Sequence, residues 1–456
     1  MRRLAWLFFL GLVYVAGFSV TGSPALARQM TLEECVRRTL EVNPRVLDKA
    51  EGVTKAAGGV EEARAGYLPQ LGVSGLYNFA EKTQTVQFPG SGGEMQEFQL
   101  DFTLDYAFSA TLTQPVYTGG AVSSSYRISK YARHIAQSDL AATKANLALA
   151  VVGQFYAVLA AREAIVVAEE ALRNAEENYE VTLARYNAGE VAEYDVMRAE
   201  VAVVNLRPSL ISARNLLEVS ELALKNYMMV EPESEIEFVG ELEEMEYTVD
   251  ASEAVKIAFA NRPEMRIAEK QVAIAGESVT LARSGWRPTF ALTGTYDLRS
   301  NELTFSGDAW QDSYSGYLVL SWAVFDGLRT KARISQAHSE VRRAGIAMED
   351  LKRAIELEVR AALLDVEAAR ATLKSQERNV ETAERGLGIA NERYATGLAT
   401  SLEVIDARLA FITAQQNRIS ALFDFNVSTA RLMRAAGVLL REYTDTTETQ
   451  TQTETQ

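Results

Sequence analysis

Cysteine and histidine are scarce in this chain, and their scarcity excludes several kinds of site. The 456 residues include one cysteine, Cys35, and two histidines, His134 and His338. A single cysteine cannot form an intramolecular disulfide or a cysteine zinc site, and two isolated histidines do not make a histidine-rich metal centre. No Gly-rich phosphate loop followed by lysine occurs either. We therefore expect no metal, no cofactor and no catalytic residues in this chain.

Positive charge is also in short supply. Lys and Arg total 46 against 61 Asp and Glu, so the formal net charge is -15. Nucleic-acid binding needs clustered Lys and Arg against phosphates, so we expect no nucleic-acid partner. Eight glutamates and no Lys or Arg lie between Glu231 and Glu246, and this run predicts a solvated acidic connector at 231–249.

Long apolar runs are missing except at the start of the chain. Arg2 and Arg3 precede an apolar stretch at 4–20, and Ala25-Leu26-Ala27 has the small-x-small pattern of a cleavage site. Residues 1–27 are therefore predicted to be a signal peptide. The alternative, a first transmembrane helix, is less favoured because the run is shorter than about 20 residues. If the exported chain spans a membrane, it must do so with strands.

Proline is absent from two long helical segments. None occurs between Pro115 and Pro208 or after Pro288. Stretches of about 65 residues, each rich in Ala, Leu, Glu, Arg and Gln, predict helices about 100 Å long. Each should meet a Gly-bearing turn and a returning helix, which gives helical hairpins at 121–229 and 329–437. Pro208 is expected to kink the first returning helix.

Strict alternation of side chains predicts strands ahead of each hairpin. From 98 to 112 every second residue is apolar, and the residues between are mainly polar. We predict strands at about 70–80 and 98–117 in the first half, and at about 289–299 and 313–325 in the second. The intervening segments at 81–97 and 299–312 contain Gly, Ser and polar residues, and are predicted to be hairpin loops.

The chain is duplicated. Motifs early in the first half recur 219 residues on, and later motifs recur 208 residues on. We expect a first repeat at 28–230 and a second at 250–440, each with a short helix, two strands and a long helical hairpin. The tail at 441–456 lacks apolar residues beyond Tyr443 and is predicted to be disordered.

Four strands cannot close a barrel, because a barrel needs about eight strands before side chains can fill its interior. Open sheet edges in lipid leave backbone groups unpaired at several kcal/mol each. The pattern therefore predicts an assembly of several copies. Two alternatives are an ordinary soluble α+β protein, and a periplasmic helical-hairpin adapter or structural protein that bridges two membranes.

The order and duplication of the motifs resemble the TolC family of outer-membrane efflux proteins. The resemblance rests on the export signal and on three kinds of motif, namely the opening Thr31-Leu32-Glu33-Glu34, the turns Gly66-Tyr67-Leu68-Pro69 and Gly285-Trp286-Arg287-Pro288, and the tips Arg185-Tyr186-Asn187-Ala188-Gly189 and Arg393-Tyr394-Ala395-Thr396-Gly397. It implies a mixed α and β fold, internally duplicated. Each chain would contribute four strands to a trimeric twelve-stranded transmembrane β-barrel, continued by a long periplasmic α-helical barrel.

The resemblance also implies a function and partners. The chain would be a homotrimeric exit duct of a tripartite efflux or type I secretion system, in the outer membrane of a Gram-negative bacterium, extending into the periplasm. It would contact outer-membrane lipid, a periplasmic adapter (membrane fusion) protein and an inner-membrane pump of the RND or ABC type. It would not be an enzyme, because a passive channel catalyses no reaction.

By the same resemblance, an acidic pair, Glu403 and Asp406, lines the channel gate at the periplasmic tip. The two residues are three apart and so share a helix face. The competing interpretation is a capping box at Thr400, which explains Glu403 fully and Asp406 only in part. The first half has Asp195 at the place of Glu403 but an arginine at the place of Asp406.

Other residues at the tips have two interpretations each. Asp195, Tyr394 and Tyr186 suit polar contacts that hold neighbouring tips together, although both tyrosines also suit simple packing at helix ends. The turns at Gly189 and Gly397 are possible contacts for the adapter. They are also explained by chain reversal alone, because Gly suits a left-handed cap.

Overall fold

The computed structural model describes residues 28–444, except for 79–82, 90–93, 102–105, 246 and 305. The predicted signal peptide and residues 445–456 of the predicted tail lie outside the described residues. Each half of the chain begins with a pair of short helices, continues into strands and ends in a helical hairpin.

In the first half, a proline divides the predicted short helix in two. Helix α1 ends at Val42, and α2 begins with Pro44 at its first position, where the missing N–H is not needed. The elements of this half are β1 Arg28–Met30, α1 Leu32–Val42, α2 Pro44–Ala65, β2 Gln70–Tyr77, β3 Thr83–Pro89, β4 Met95–Asp101, β5 Tyr106–Tyr117, α3 Ala121–Asn187 and α4 Glu193–Tyr227. Helix α4 continues through Pro208, which leaves the carbonyl of Val204 without its usual donor four residues on.

The second half repeats this order with fewer strands. Its elements, after the connector strand β6 Ile236–Phe238, are α5 Ala251–Asn261, α6 Pro263–Ser284, β7 Thr289–Ser300, β8 Gln311–Ser321, α7 Arg329–Ala395, α8 Ser401–Ala435 and α9 Leu439–Thr444. Helix α9 corrects the predicted tail, because ordered helix continues to Thr444. Leu439, at its start, is 1% exposed and anchors α9 in the core.

The prediction of a loop at 81–97 is wrong. Strands β3 and β4 pair antiparallel there, with Thr83 opposite Asp101 and Pro89 opposite Met95. Consequently the strand expected at 98–117 is divided: β4 pairs with β3, whereas β5 pairs with β2 and β7. A sequence signal was present, because Val86 and Phe88 alternate with Thr85 and Gln87.

The four-stranded sheet has the order β2-β5-β7-β8, and every neighbouring pair is antiparallel. Strands from both repeats therefore alternate in direction across one sheet. Strands β2 and β8 are its outer strands in the described part of the chain, and every residue of both strands is exposed.

The principal hydrophobic core lies where the connector crosses the middle of α3. Strand β6 pairs parallel with β1, and Phe238 packs edge-to-face on Phe155. Val151 and Val152 of α3 are fully buried in the same cluster. Of the described helices, α3 is the one long and apolar enough to cross a membrane by length and composition. Its buried residues show that much of this apolar surface packs inside the protein.

A charged network ties the second repeat together beside this core. Arg262, which is 4% exposed, contacts Glu264 at 3.3 Å and Glu358 at 2.6 Å. Arg434 of α8 contacts the same two carboxylates at 2.6 and 3.6 Å. The start of α6, the middle of α7 and the end of α8 are thus held by two largely buried Arg and two Glu, of which Glu358 is half exposed.

Candidate functional site

The four-stranded sheet has one apolar and one polar face. Along one cross-strand row lie Val73, Ala110, Tyr296 and Tyr314, of which Tyr314 is 87% exposed. The adjacent row, on the opposite face, consists of Ser74, Ser109, Asp297 and Ser313. A sheet with these two faces suits lipid on one side and water on the other.

Polar side chains on that second face bond to one another across strands. The hydroxyl of Ser109 donates a hydrogen bond to Asp297. Further along the same face, Thr111 lies opposite Thr295, which lies opposite Ser315. Since these groups need water or each other, this face is the one that would line an aqueous lumen.

The two hairpin tips have the same backbone structure. Gly189 and Gly397 adopt φ values of +77° and +74°, which side-chain-bearing residues rarely adopt. The amide of Glu190 donates to the carbonyl of Arg185 at 2.9 Å, and Leu398 donates to Arg393 at 2.8 Å. These are Schellman-type ends, in which glycine at the left-handed position favours chain reversal. A Cβ built on either meets nothing within 4 Å, so the tips also offer open surface.

Glu403 is engaged at the start of α8. Its amide donates to the Thr400 hydroxyl at 3.4 Å, and its carboxylate accepts from the Thr400 amide at 3.4 Å, which forms a capping box. The same carboxylate lies 3.6 Å from Arg393 at the end of α7, and both side chains are exposed. The capping interpretation therefore holds for Glu403, and it leaves the carboxylate at the surface of the tip.

Asp406 lies one turn further along α8. It is exposed, and no ion pair or hydrogen bond joins it to another described residue. The structure thus keeps the acidic pair on one face of the first two turns of α8. Helix capping accounts for Glu403, but nothing in the described part of the chain accounts for Asp406.

Asp195 occupies the position that corresponds to Glu403 in the other repeat, and it has a different role. Ala192 stands where Thr400 would be, so α4 has no side-chain cap. Asp195 instead accepts a hydrogen bond from the hydroxyl of Ser401 at 3.2 Å. The loss of one capping hydroxyl thus frees a carboxylate to join the two tips of the same chain.

A second contact joins the tips through an arginine and a tyrosine. The guanidinium carbon of Arg185 lies 5.3 Å from the centre of the Tyr394 ring, within cation–π range. Tyr394 is half-buried by this contact, whereas Tyr186 is exposed. The sequence predicted Asp195 and Tyr394 but missed Ser401 and Arg185. The repeated Arg-Tyr dipeptide was the available signal, since it placed an arginine beside each tyrosine.

An apolar groove of about 590 Å³ lies behind the tips, between α4 and α8 with α3 as its floor. Met197 and Val201 line one wall and Leu409 lines the other, and all three are exposed. Arg408 crosses the groove and donates to the carbonyl of Asn174 at 2.7 Å. Burial lowers the pKa of Arg408 below its usual value, and the nearby charge of Glu177 opposes this only in part.

The described residues lack the side-chain clusters that bind metal ions. They contain no group of three or more His, Cys, Asp or Glu side chains that could hold a metal ion. Burial and the neighbouring Glu34 raise the pKa of Cys35 to about 12, so its thiol is protonated at neutral pH. His338 contacts Arg283 at 3.3 Å on the surface.

Comparison with known proteins identifies the family. The family described as "Outer membrane efflux protein" matches residues 35–228 and 254–438. Among curated relatives, the outer membrane protein TolC of Vibrio cholerae is 23% identical over 413 residues, covering 90% of this chain and 91% of that protein. Protein CyaE of Bordetella pertussis is 25% identical over 387 residues, covering 84% of this chain and 79% of that protein.

Solved structures share the fold at low identity. The outer membrane protein VceC of Vibrio cholerae superimposes with a TM-score of 0.73 at 16% identity, covering 89% of this chain and 96% of that one. The open state of the MtrE outer membrane channel of Neisseria gonorrhoeae gives a TM-score of 0.71 at 19% identity, covering 90% and 89%. These comparisons confirm the predicted fold class and outer-membrane location, and they decide against the periplasmic adapter. The duplicated chain, with its two-faced sheet and long helical hairpins, belongs to the outer membrane efflux protein family.

Proposed function

We propose that three copies of this chain form a passive exit duct, which partner proteins open at its periplasmic tip. The observation that carries the proposal is the sheet, with one apolar face, one polar face and two outer strands. Because its four strands alternate in direction, β8 of one copy can pair antiparallel with β2 of the next. Three copies would supply twelve strands and leave no sheet edge in lipid.

The helices support the same arrangement. Helix α4 packs chiefly on α3, and α7 packs chiefly on α8 and α6, so each leaves one side uncovered. The uncovered side of α4 carries the exposed apolar side chains Val204, Ile211 and Leu222, spaced by 7 and 11 residues. The uncovered side of α7 carries Ile346, Leu357 and Leu364, spaced by 11 and 7 residues. Stripes with this period pack as a coiled coil, so α4 of one copy would meet α7 of the next.

The tip is the proposed gate. With three chains around one axis, the exposed carboxylates of Glu403 and Asp406 would form a ring of six. Such a ring favours cations and binds multivalent ions. The bonds from Ser401 to Asp195 and from Arg185 to Tyr394 would hold the two tips of each chain together in the closed state. An adapter that meets the Gly189 and Gly397 turns, together with an RND or ABC pump, would draw the tips apart.

Single-channel recording in a lipid bilayer tests the gate. The informative variant is Glu403→Gln with Asp406→Asn, because Gln preserves the capping box while both charges are removed. We expect a cation-preferring conductance in the parent channel, blocked by divalent ions. The double variant should lose cation preference, and the blocking concentration should rise by about tenfold or more, equivalent to about 1.4 kcal/mol of ion binding.

A matched control uses the other hairpin. Glu193 lies in the first turn of α4 and is exposed, so Glu193→Gln removes a tip charge without touching the acidic pair. Its selectivity and block should stay close to those of the parent. If the control and the double variant changed ion selectivity and block equally, the assignment of Glu403 and Asp406 to the gate would be wrong. Absence of any conductance from the parent chain would remove the duct itself.

A further inference from the structure

A small pocket with charged and apolar lining lies far from the tips, where α6 begins, α8 ends and α9 follows. Its volume is about 150 Å³, enough for a carboxylate-sized group. Arg266, Arg434 and Arg441 line it, together with Asn261, Glu264 and apolar side chains. Three arginines around so small a space form a positive site in a chain whose net charge is -15.

Two of these arginines have no carboxylate partner in the described part of the chain. Arg434 is held by Glu264 and Glu358. Arg266 and Arg441, in contrast, donate only to Asn261. Arg266 donates to its backbone carbonyl at 3.3 Å, and Arg441 donates to its side-chain oxygen at 3.0 Å. Arg262 lies behind them and shares the same two glutamates. Four arginines against two glutamates leave an excess of two positive charges.

The first turn of α6 adds to this positive site. In the first repeat the corresponding helix, α2, is capped by Asn43, whose side chain accepts from the amide of Arg45 at 3.0 Å. In the second repeat Arg262 stands at the cap of α6, and no side-chain cap bond is made. Pro263 has no N–H and the Glu264 amide donates to its own carboxylate, so it is the positive end of the α6 dipole that joins the guanidinium groups in favouring an anion.

Comparison of the two repeats also shows that this pocket is specific to the second half. Leu47 and Glu233 occupy the positions that correspond to Arg266 and Arg441. The first repeat therefore has a capping Asn, an apolar side chain and a carboxylate where the second has three arginines. Duplication alone does not explain the cluster.

We propose that this arginine pocket binds a carboxylate of the acidic C-terminal segment of the same chain, residues 445–456. That segment contains Asp445, Glu448 and Glu454 and no Lys or Arg, so its side chains carry three negative charges. It follows Thr444, the last residue of α9, and α9 itself lines the pocket through Arg441. The four residues from Thr444 to Glu448 span up to about 14 Å, enough to turn back over one short helix.

Docking there would cover the start of α6 and hold α9 against it. The carboxylate would pair with Arg266 and Arg441. Because guanidinium groups bind carboxylates in a bidentate manner, a Glu side chain is a better fit than an amide.

Spin labelling of the full chain in detergent micelles tests this proposal. One label goes on Gln450→Cys in the segment, and the second on Glu269→Cys, which is exposed on α6 one turn beyond Arg266. The native Cys35 is buried and should not react, which the parent chain checks. Labelled chains are diluted with unlabelled chains so that both labels lie in one copy. We expect an immobilised label at 450 and a short, narrow distance to 269.

Three perturbations should release the segment. These are Arg266→Gln with Arg441→Gln, the triple amide variant of Asp445, Glu448 and Glu454, and an increase in NaCl from about 0.1 M to about 1 M, which shortens the Debye length from about 10 to about 3 Å. In each, the label should become mobile and the distance broad. Arg45→Gln, at the start of the matched helix α2, should change neither.

Charge reversal separates binding from misfolding. Arg266→Glu with Arg441→Glu should free the segment, and the additional changes Glu448→Lys and Glu454→Lys should immobilise it again. A mobile label at 450 in the parent chain would overturn the proposal. So would immobilisation that survives the arginine substitutions, or a short distance seen only to the α6 of a neighbouring copy.

Discussion

At the scale of single residues, the duplication allows equivalent positions of the two repeats to be compared. The residue after the C-cap of α4 is Met229, with φ of +53°, and its counterpart after α8 is Gly437, with φ of +74°. Both end their helices in the left-handed conformation, and their successors donate back to Lys225 and Met433. A residue with a Cβ pays for this conformation by roughly 1–2 kcal/mol, whereas Gly adopts it freely.

We therefore predict opposite effects of two substitutions at these positions. Met229→Gly should leave stability unchanged or raise it by up to about 1 kcal/mol, because relief of strain exceeds the added freedom of the unfolded chain. Gly437→Ala should lower it by about 1–3 kcal/mol, because its Cβ would lie 3.1 Å from the Arg262 nitrogen as well as at positive φ. Thermal unfolding followed by circular dichroism measures both, and a gain in stability for Gly437→Ala would contradict this account.

The network around Glu264 predicts a pH dependence. Burial by itself would raise the pKa of Glu264, but hydrogen bonds from Arg262 and the charges of Arg434 and Arg262 outweigh it, so the pKa lies below its usual value. A carboxyl with a depressed folded pKa stabilises the protein above its unfolded pKa of about 4.3, and this contribution is lost as pH falls through the folded pKa.

Glu264→Gln should accordingly cost up to about 3 kcal/mol at pH 7, because it leaves Arg262 and Arg434 to share the one carboxylate of Glu358. The difference from the parent should shrink as pH falls below the unfolded pKa of about 4.3, and it should disappear once pH passes the lower folded pKa. Glu340→Gln provides the control, since Glu340 pairs with Arg343 while both are exposed. Urea unfolding at several pH values measures the difference, and a cost independent of pH would argue against the depressed pKa.

At the scale of elements, the two helical hairpins have the same length but different tips. Helices α3 and α7 both have 67 residues, and α4 and α8 both have 35. The two tips differ in the side chain that precedes the returning helix, since Thr400 caps α8 whereas Ala192 leaves α4 without a side-chain cap. The first tip thereby gains a carboxylate that can reach the second.

Breaking the two contacts between the tips should favour the open state of the channel. Each is worth up to about 1 kcal/mol at an exposed site, so Arg185→Gln with Ser401→Ala should shift the closed–open equilibrium by about tenfold per chain. Single-channel open probability measures the shift. Arg198→Gln is the control, because Arg198 stacks on Tyr194 within the same helix, at 5.8 Å, and joins nothing across the tips. An unchanged open probability in the double variant would show that other contacts hold the tips.

At the scale of the whole molecule, the exposed apolar surface is too extensive for a chain that acts alone. Apolar side chains are exposed on strand β8 and along one side of both α4 and α7. Large contiguous apolar patches on a protein mark contact with lipid or with other chains. Contact with lipid explains the apolar face of the sheet, and contact with neighbouring copies explains the apolar stripes on α4 and α7.

Assembly can be tested by placing a charge in the stripe of α4. Ile211→Glu would bury a carboxylate between α4 and α7 of adjacent copies, so the trimer should dissociate in mild detergent, as measured by light scattering or native mass spectrometry. Leu216→Glu is the matched control, because Leu216 is equally an exposed apolar residue of α4 but lies on another side of the helix. A trimer that survives Ile211→Glu but not Leu216→Glu would place the interface elsewhere.

Much of this architecture is predictable from periodicity because local patterns report on local structure. The absence of proline predicted the long helices, and alternation predicted the four strands of the main sheet. The β3–β4 hairpin was missed because β3 has only Val86 and Phe88 as large apolar residues among Thr and Gln, and because the alternation in β4 continues along the sequence into β5. At the tip, the sequence indicated the acidic pair and the tyrosines. The partners Ser401 and Arg185 were missed because each lies on a different hairpin, more than 200 residues from its contact.

The sequence by itself determined the duplication, the helical hairpins and the family, because each of these follows from the spacing of residues along the chain. Only the tertiary structure decided that β5 and β7 join the two repeats in one sheet, that Asp195 faces Ser401, and that arginines from α6, α8 and α9 surround one pocket. The physical reason is that side chains far apart in sequence meet only when packing of whole helices sets their distances. No local propensity contains that information.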